Sequence, residues 1–130
     1  MLRLAKVLNS NFQYEVIKLN NPKLIPFAHG CALMCKNGEV AAAAETAIPE
    51  YIAIVGEAEE PCATVNAMLV TDNMVFKTEY VGDTEPYVGM RVGLAKDKHE
   101  MDAVTCNENG KGTILSIDRA NKLVYVRFCK

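Results

Sequence analysis

Across residues 63–80 two short arms on either side of a turn signal each place apolar side chains at alternate positions, and that pattern restricts the fold more than any other feature. Successive side chains in a strand point to opposite faces, so a period of two is what a half-buried sheet requires. Over 63–71, Val65, Ala67 and Leu69 share one face; over 74–80, Met74, Phe76 and Tyr80 fall together, with Lys77 and Glu79 opposite. Asp72-Asn73 between the arms can supply the two positive-φ residues of a tight turn. The stretch 62–80 is therefore expected to be a β-hairpin in mid-chain.

The same signals recur on both sides. Asn37-Gly38, between Cys31-Ala32-Leu33-Met34-Cys35-Lys36 and Glu39-Val40-Ala41-Ala42-Ala43, is the preferred dipeptide of a type I′ hairpin. Residues 2–8 and 12–19 are candidate strands, the second with Phe12, Tyr14 and Val16 on one face until Asn20-Asn21-Pro22 breaks it. Residues 23–29 read as an extended connection or an edge segment, and 51–56 as a buried strand. Met90, Val92 and Leu94 share a face of the next strand, after which 97–100 is a charged turn and 101–105 a short strand. A final hairpin pairs 113–118 with 122–128, placing Leu115 with Ile117 and Val124 with Val126 and Phe128, while Asn121 suits a left-handed turn position. No amphipathic run of ten residues and no solenoid repeat occurs. Short strands with a turn every eight to twelve residues specify an all-β domain, a β-barrel or sandwich of short antiparallel hairpins. Residues 1–11 read as an N-terminal arm or edge strand and 12–130 as a single domain.

A chain of 130 residues can bury roughly two-thirds of its unfolded surface. Its net charge is −2 and nothing in the sequence resembles the basic stripe that neutralises phosphates, so neither nucleic acid nor a membrane is expected as a partner. Charge is uneven, though: Glu45, Glu50, Glu57, Glu59 and Glu60 fall within 45–60, a stretch without Lys or Arg. Such a stretch is either a solvated loop or an acidic patch for a basic partner surface, where it would set association rate and register. The first eight residues lack a secretory pattern, and no apolar run approaches the ~20 residues that span a bilayer, so a soluble protein made in the cytosol is expected. Five cysteines at irregular spacing (Cys31, Cys35, Cys62, Cys106, Cys129) read as free thiols and not as a disulfide framework.

Candidate chemistry is sparse. His29, Cys31 and Cys35 give one loose pair, and at ~3.3 Å per residue the two cysteines stand about 13 Å apart, too far for one zinc ion. A His29–Cys31 nucleophile would need a lowered thiol pKa and oxyanion donors that nothing nearby supplies. The carboxylates of 97–102 lack the alternation of a calcium loop, and Gly89, Gly93, Gly110 and Gly112 match no phosphate-binding spacing. No catalytic, cofactor or metal residue is assigned, and no enzyme activity is expected.

Several segments, in order, resemble the small β-barrel decoration (cement) proteins of tailed-phage capsids. They are His29-Gly30-Cys31-Ala32-Leu33-Met34, Pro49-Glu50-Tyr51-Ile52-Ala53, the 65–80 stretch, Tyr87-Val88-Gly89-Met90-Arg91-Val92, and the pair 112–118 and 124–128. The resemblance covers most of 25–128. It implies a virion structural protein without catalytic residues that binds the outside of the head, with the major capsid protein as partner. It also implies a homo-oligomer, often a trimer, and an N-terminal arm that orders on the shell or on a neighbouring copy. Residues 110–128 also resemble the strand pair of SH3-like barrels, which leaves a generic binding or oligomerisation module as the alternative, with a small-ligand protein or enzyme behind it.

Overall fold

Eleven strands and no helix make up the described residues, 1–8, 15–54 and 63–129, of the structure, a computed structural model. The strands are β1 Arg3–Val7, β2 Val16–Asn20, β3 Ala32–Lys36, β4 Glu39–Ala42, β5 Tyr51–Ala53 and β6 Thr64–Leu69 in the first half. They continue as β7 Met74–Val81, β8 Arg91–Lys96, β9 Asp102–Cys106, β10 Gly112–Asp118 and β11 Leu123–Phe128. One sheet runs β2-β6-β5-β3-β4 and the other β1-β7-β11-β10-β8-β9. All neighbouring pairs are antiparallel except one: β9 returns to β7 in parallel through Tyr80↔Val104 and Val81↔Thr105, so the larger sheet curls towards its own start. The all-β reading holds.

The mid-chain hairpin does not form. Both arms are strands, but β6 pairs with β2 and β5, whereas β7 pairs with β1 and β11. The chain thus crosses from one sheet to the other at 71–74. The reason is local: neither Asp72 nor Asn73 adopts a positive φ, and the turn closes through Met74 N–H to the Thr71 carbonyl at 3.2 Å. A turn without positive φ does not match the twist of a two-residue hairpin, so its flanking strands splay. Asn73 accepts from the Thr71 hydroxyl at 2.6 Å and donates to the Leu8 carbonyl at 3.3 Å, which ties the turn to the end of β1.

Asn37 (φ 54°) and Gly38 (φ 79°) do form the expected tight hairpin between β3 and β4, closed by Lys36↔Glu39. The β10–β11 hairpin forms as well, but a bulge between Ile114 and Ser116 changes its faces. Ile114 is buried and Leu115 turns out to solvent, so Leu115 and Ile117 do not share a buried face. The left-handed turn position falls to Lys122 (φ 57°); Asn121 instead donates its side-chain amide to Asp118 at 2.8 Å. In β2, Leu19 and Ile17 face inward opposite Val65 and Ala67, which puts Val16 outside. Phe12, Tyr14, Val55, Gly56 and Cys62 lie outside the described residues.

Two apolar clusters fill the interior. The larger takes Phe76, Val92, Ile114, Val126 and Phe128 from the six-stranded sheet, with the Phe76 and Phe128 rings 6.2 Å apart. The smaller gathers Leu19, Leu33, Val40, Ala53, Val65 and Ala67 inside the five-stranded sheet. Neighbouring residues on β3, β5 and β6 go to different clusters: Ala32, Ile52 and Met68 to the larger, Leu33, Ala53 and Ala67 to the smaller. A sheet covered on both faces needs continuous apolar runs, as β3 and β5 have, whereas β6 alternates at its start, with Thr64 and Asn66 exposed, and becomes continuous only from Ala67. β1 is the edge strand of the larger sheet, and Leu2 before it is buried in that core.

Candidate functional site

The ionisable groups with the most structure around them meet where the two sheets join. Asp102 opens β9 opposite Lys96 of β8, in the wall of a cleft of about 250 Å³ bordered also by Phe27, Cys31 and Met101. Its carboxylate is only 7% exposed. Oδ2 accepts the Ala32 N–H at 2.6 Å, and Oδ1 accepts from the Lys96 ammonium. Ala32 opens β3 of the other sheet, so one carboxylate ties the sheets together and satisfies a buried donor that no strand pairs. Burial works against the charge of Lys96, but the hydrogen bond and charge of Asp102 outweigh it and hold the ammonium pKa above its ordinary value.

Cys31 lies beside this pair. Burial, and then the charge and hydrogen bonding of Asp102, push its thiol from 9.0 up to about 12. The thiolate is the nucleophilic form, so this setting disarms Cys31. Cys35 is raised as well, by burial first and then by Glu50. Both pack against the smaller cluster as apolar side chains. Cys31, Cys35, Cys106 and Cys129 carry no disulfide. His29 is exposed, and among the described residues no three His, Cys, Asp or Glu side chains converge as a metal site would need.

The acidic turn 97–102 is likewise occupied with its own backbone. Asp97 Oδ1 accepts from Met101 N–H at 3.0 Å and His99 N–H at 2.8 Å, and these bonds, that from Met101 foremost, hold its pKa below the ordinary value. Asn107 closes the next turn in the same way, accepting from Asn109 N–H at 2.9 Å.

What the molecule leaves unspent is surface. Tyr87 and Val88 are 58% and 63% exposed, on a segment fixed to β10 by Gly89 N–H to the Ile114 carbonyl at 2.8 Å and Ile114 N–H to the Met90 carbonyl at 3.0 Å. That register lays Gly89 and Met90 against Ile114, the residue before the outward-turned Leu115. A shallow cleft of about 210 Å³ adjoins it, floored by Tyr80, Pro86, Ile117 and Leu123, with the Arg119–Glu85 ion pair at its rim. A second apolar projection is Leu24-Ile25: the buried Asn21 side chain bonds both the N–H (3.1 Å) and the carbonyl (3.0 Å) of Ile25, and Leu24 is held at φ 53°. Sequence periodicity passes over Leu24, Ile25, Tyr87 and Val88 because they belong to no strand. The available signal is composition, two bulky apolar residues set between Pro86 and Gly89 where a turn would ordinarily be polar. Comparison of the chain with protein-family models, with curated proteins and with solved structures finds no match.

Proposed function

We propose that this chain is a virion structural protein, a decoration protein that binds the outer surface of a tailed-phage head and stabilises it by bridging capsid subunits. The observation that carries the reading is the apolar surface of Tyr87, Val88 and Leu115, held on a backbone already hydrogen-bonded in place. Exposed apolar residues grouped in this way mark a site of association. A rigid backbone there lowers the ordering cost of binding. The reactive groups, by contrast, are engaged in structure: Asp102 in a strap between sheets, Cys31 as a protonated thiol, Asp97 in a turn. A decoration protein works by mass action, since each copy that binds only the assembled shell shifts it towards the intact state. In this reading the partner is the major capsid protein, the protein is a homo-oligomer made in the host cytoplasm, and no cofactor takes part.

The test is co-sedimentation with expanded, DNA-free heads of the phage that encodes the chain. Saturable binding at a fixed ratio to capsid protein is expected, weakened at least about tenfold by Val88→Asp with Leu115→Asp. A folded protein that stays in the supernatant at all concentrations refutes the proposal.

A further inference from the structure

Asn-Gly occurs twice in the chain, at Asn37-Gly38 and at Asn109-Gly110. An asparagine followed by glycine carries a latent reaction of its own. The amide nitrogen of the second residue can attack the side-chain carbonyl carbon of the first, and glycine, with no Cβ, leaves that approach open. The reaction runs only where the backbone can turn the two groups towards each other. In this the two sites differ.

Asn109-Gly110 is locked. Asn109 N–H bonds Asn107 Oδ1 at 2.9 Å, and Gly110 N–H, the attacking group, bonds the Asn107 carbonyl at 2.9 Å. The Gly110 carbonyl accepts from Arg91 at 3.2 Å. Gly110 is buried so close to β8 that a Cβ there would lie 2.0 Å from the Val92 carbonyl oxygen. Swinging its nitrogen round to a side chain would lift the 107–112 turn off β8.

Asn37-Gly38 is the opposite case. Both residues are exposed at the tip of the β3–β4 hairpin, and a Cβ at Gly38 would meet nothing within 4 Å. Among the described residues no hydrogen bond holds the Asn37 side chain or the Gly38 N–H. In a tight two-residue loop that N–H is left over, because the flanking residues, here Lys36 and Glu39, close the turn. The left-handed backbone of Asn37 (φ 54°) sets its side chain away from the Gly38 nitrogen, so the reaction needs a swing about the Asn37 Cα–C bond. An exposed tip beside an edge strand makes that swing by local opening, with both cores undisturbed.

We infer that Asn37 is a site of spontaneous deamidation and isomerisation, and that Asn109 in the folded protein is not. The Gly38 nitrogen gives up its proton and bonds to Asn37 Cγ; the Cγ–Nδ2 bond breaks, and ammonia leaves with a proton. The product is a cyclic imide, which water opens at either of its carbonyl carbons. Breaking the new N–Cγ bond restores the chain with an aspartate at position 37. Breaking the bond to the main-chain carbonyl carbon instead leaves an isoaspartate, with the chain running through Cβ and Cγ. Water is the only co-reactant. Either product adds one carboxylate beside Lys36, which takes the net charge from −2 to −3.

The products differ in their effect on the fold. Aspartate suits the same left-handed position as asparagine, so the hairpin survives. Isoaspartate inserts a further main-chain carbon into a loop of two residues, and the Lys36↔Glu39 pair no longer closes it. β4 is the edge of the five-stranded sheet, paired to β3, with Val40 as its buried side chain. The iso product therefore loosens β4 and leaves the six-stranded sheet in place. None of this needs a partner, so it stands apart from the decoration reading.

The experiment is incubation of the purified protein in mildly alkaline buffer, folded and, in parallel, unfolded in urea. Protease digestion and mass spectrometry follow each asparagine, and labelling by an isoaspartyl methyltransferase marks the iso form. In the folded protein Asn37 should convert at least about tenfold faster than Asn109, whereas in urea the two should convert at similar rates. Hydrogen exchange on the separated products should be faster in β4 for the iso form alone, with β11 unchanged. Asn37→Asp, which carries the charge without the extra carbon, should exchange in β4 like the original chain. Folded protein in which Asn109 converts as fast as Asn37 overturns the inference. So does an Asn37 that stays intact when folded over a period that converts it in urea. An iso form whose β4 exchanges no faster than the original overturns the structural consequence.

Discussion

Asp102 sits where β9 meets the first residue of β3, and no strand pairing serves the Ala32 N–H there. Replacing Asp102 by Ala leaves that buried donor without its acceptor, and a loss of about 1–3 kcal/mol by urea unfolding is expected. The neighbouring thiol gives a pH dependence of definite sign. Cys31 has a folded-state value of about 12 against 9.0, so the folded protein retains a proton that the unfolded chain gives up in between. Stability from this group is therefore intact below pH 9 and declines as pH rises towards 12. Urea midpoints taken from pH 8 upward should fall, and Cys31→Ala should flatten the part of that fall due to this thiol; an unchanged slope would show that Cys31 titrates normally. In the larger core Phe76 is fully buried against Phe128, so Phe76→Ala should cost about 3–5 kcal/mol. A loss under about 1 kcal/mol would place that side chain outside the core.

The strands themselves were legible wherever a local rule decides the outcome. Asn37-Gly38 supplies both left-handed residues of its hairpin, and Met90, Val92 and Leu94 all point inward as their spacing requires. What could not be read was which strands pair. β6 and β7 have the right alternation for a hairpin, but the backbone at Asp72-Asn73 sends them to different sheets, and that conformation is set by the distant Leu8 and Arg127. The bulge that turns Leu115 outward is likewise a property of the β10–β11 ladder, not of the β10 sequence. Two glycines separate local from non-local constraint. A Cβ at Gly38 would meet nothing, so Gly38→Ala should cost only the left-handed strain, about 1–2 kcal/mol. At Gly110 a Cβ would lie 2.0 Å from the Val92 carbonyl oxygen. Gly110→Ala must push the 107–112 turn off β8, and a loss of about 3 kcal/mol or more is expected. Equal losses in the two variants, measured by thermal unfolding, would contradict this division.

The whole molecule is held together by strands that serve two interiors at once. Ala32, Ile52 and Met68 reach from the five-stranded sheet into the core of the six-stranded one, while Leu33, Ala53 and Ala67 beside them line the smaller cluster. The small sheet therefore cannot open without exposing part of the large core. Leu2, just before β1, is buried in that core, and its N–H bonds the Gly30 carbonyl at 3.1 Å, so the N-terminus joins the same unit. Chemical unfolding should accordingly be a single transition, coincident by tyrosine fluorescence and by far-ultraviolet circular dichroism. Ile52→Ala is the sharper test because its side chain belongs to the shared boundary and is 2% exposed. A loss of about 2–5 kcal/mol is expected. It should lower the hydrogen-exchange protection of slow amides in β5 and in β11 by the same free energy, since both then exchange through one global opening. Were β5 to lose protection while β11 kept it, the two sheets would be separate folding units, and the five-stranded sheet with its acidic connection could open on a head while the other remained closed.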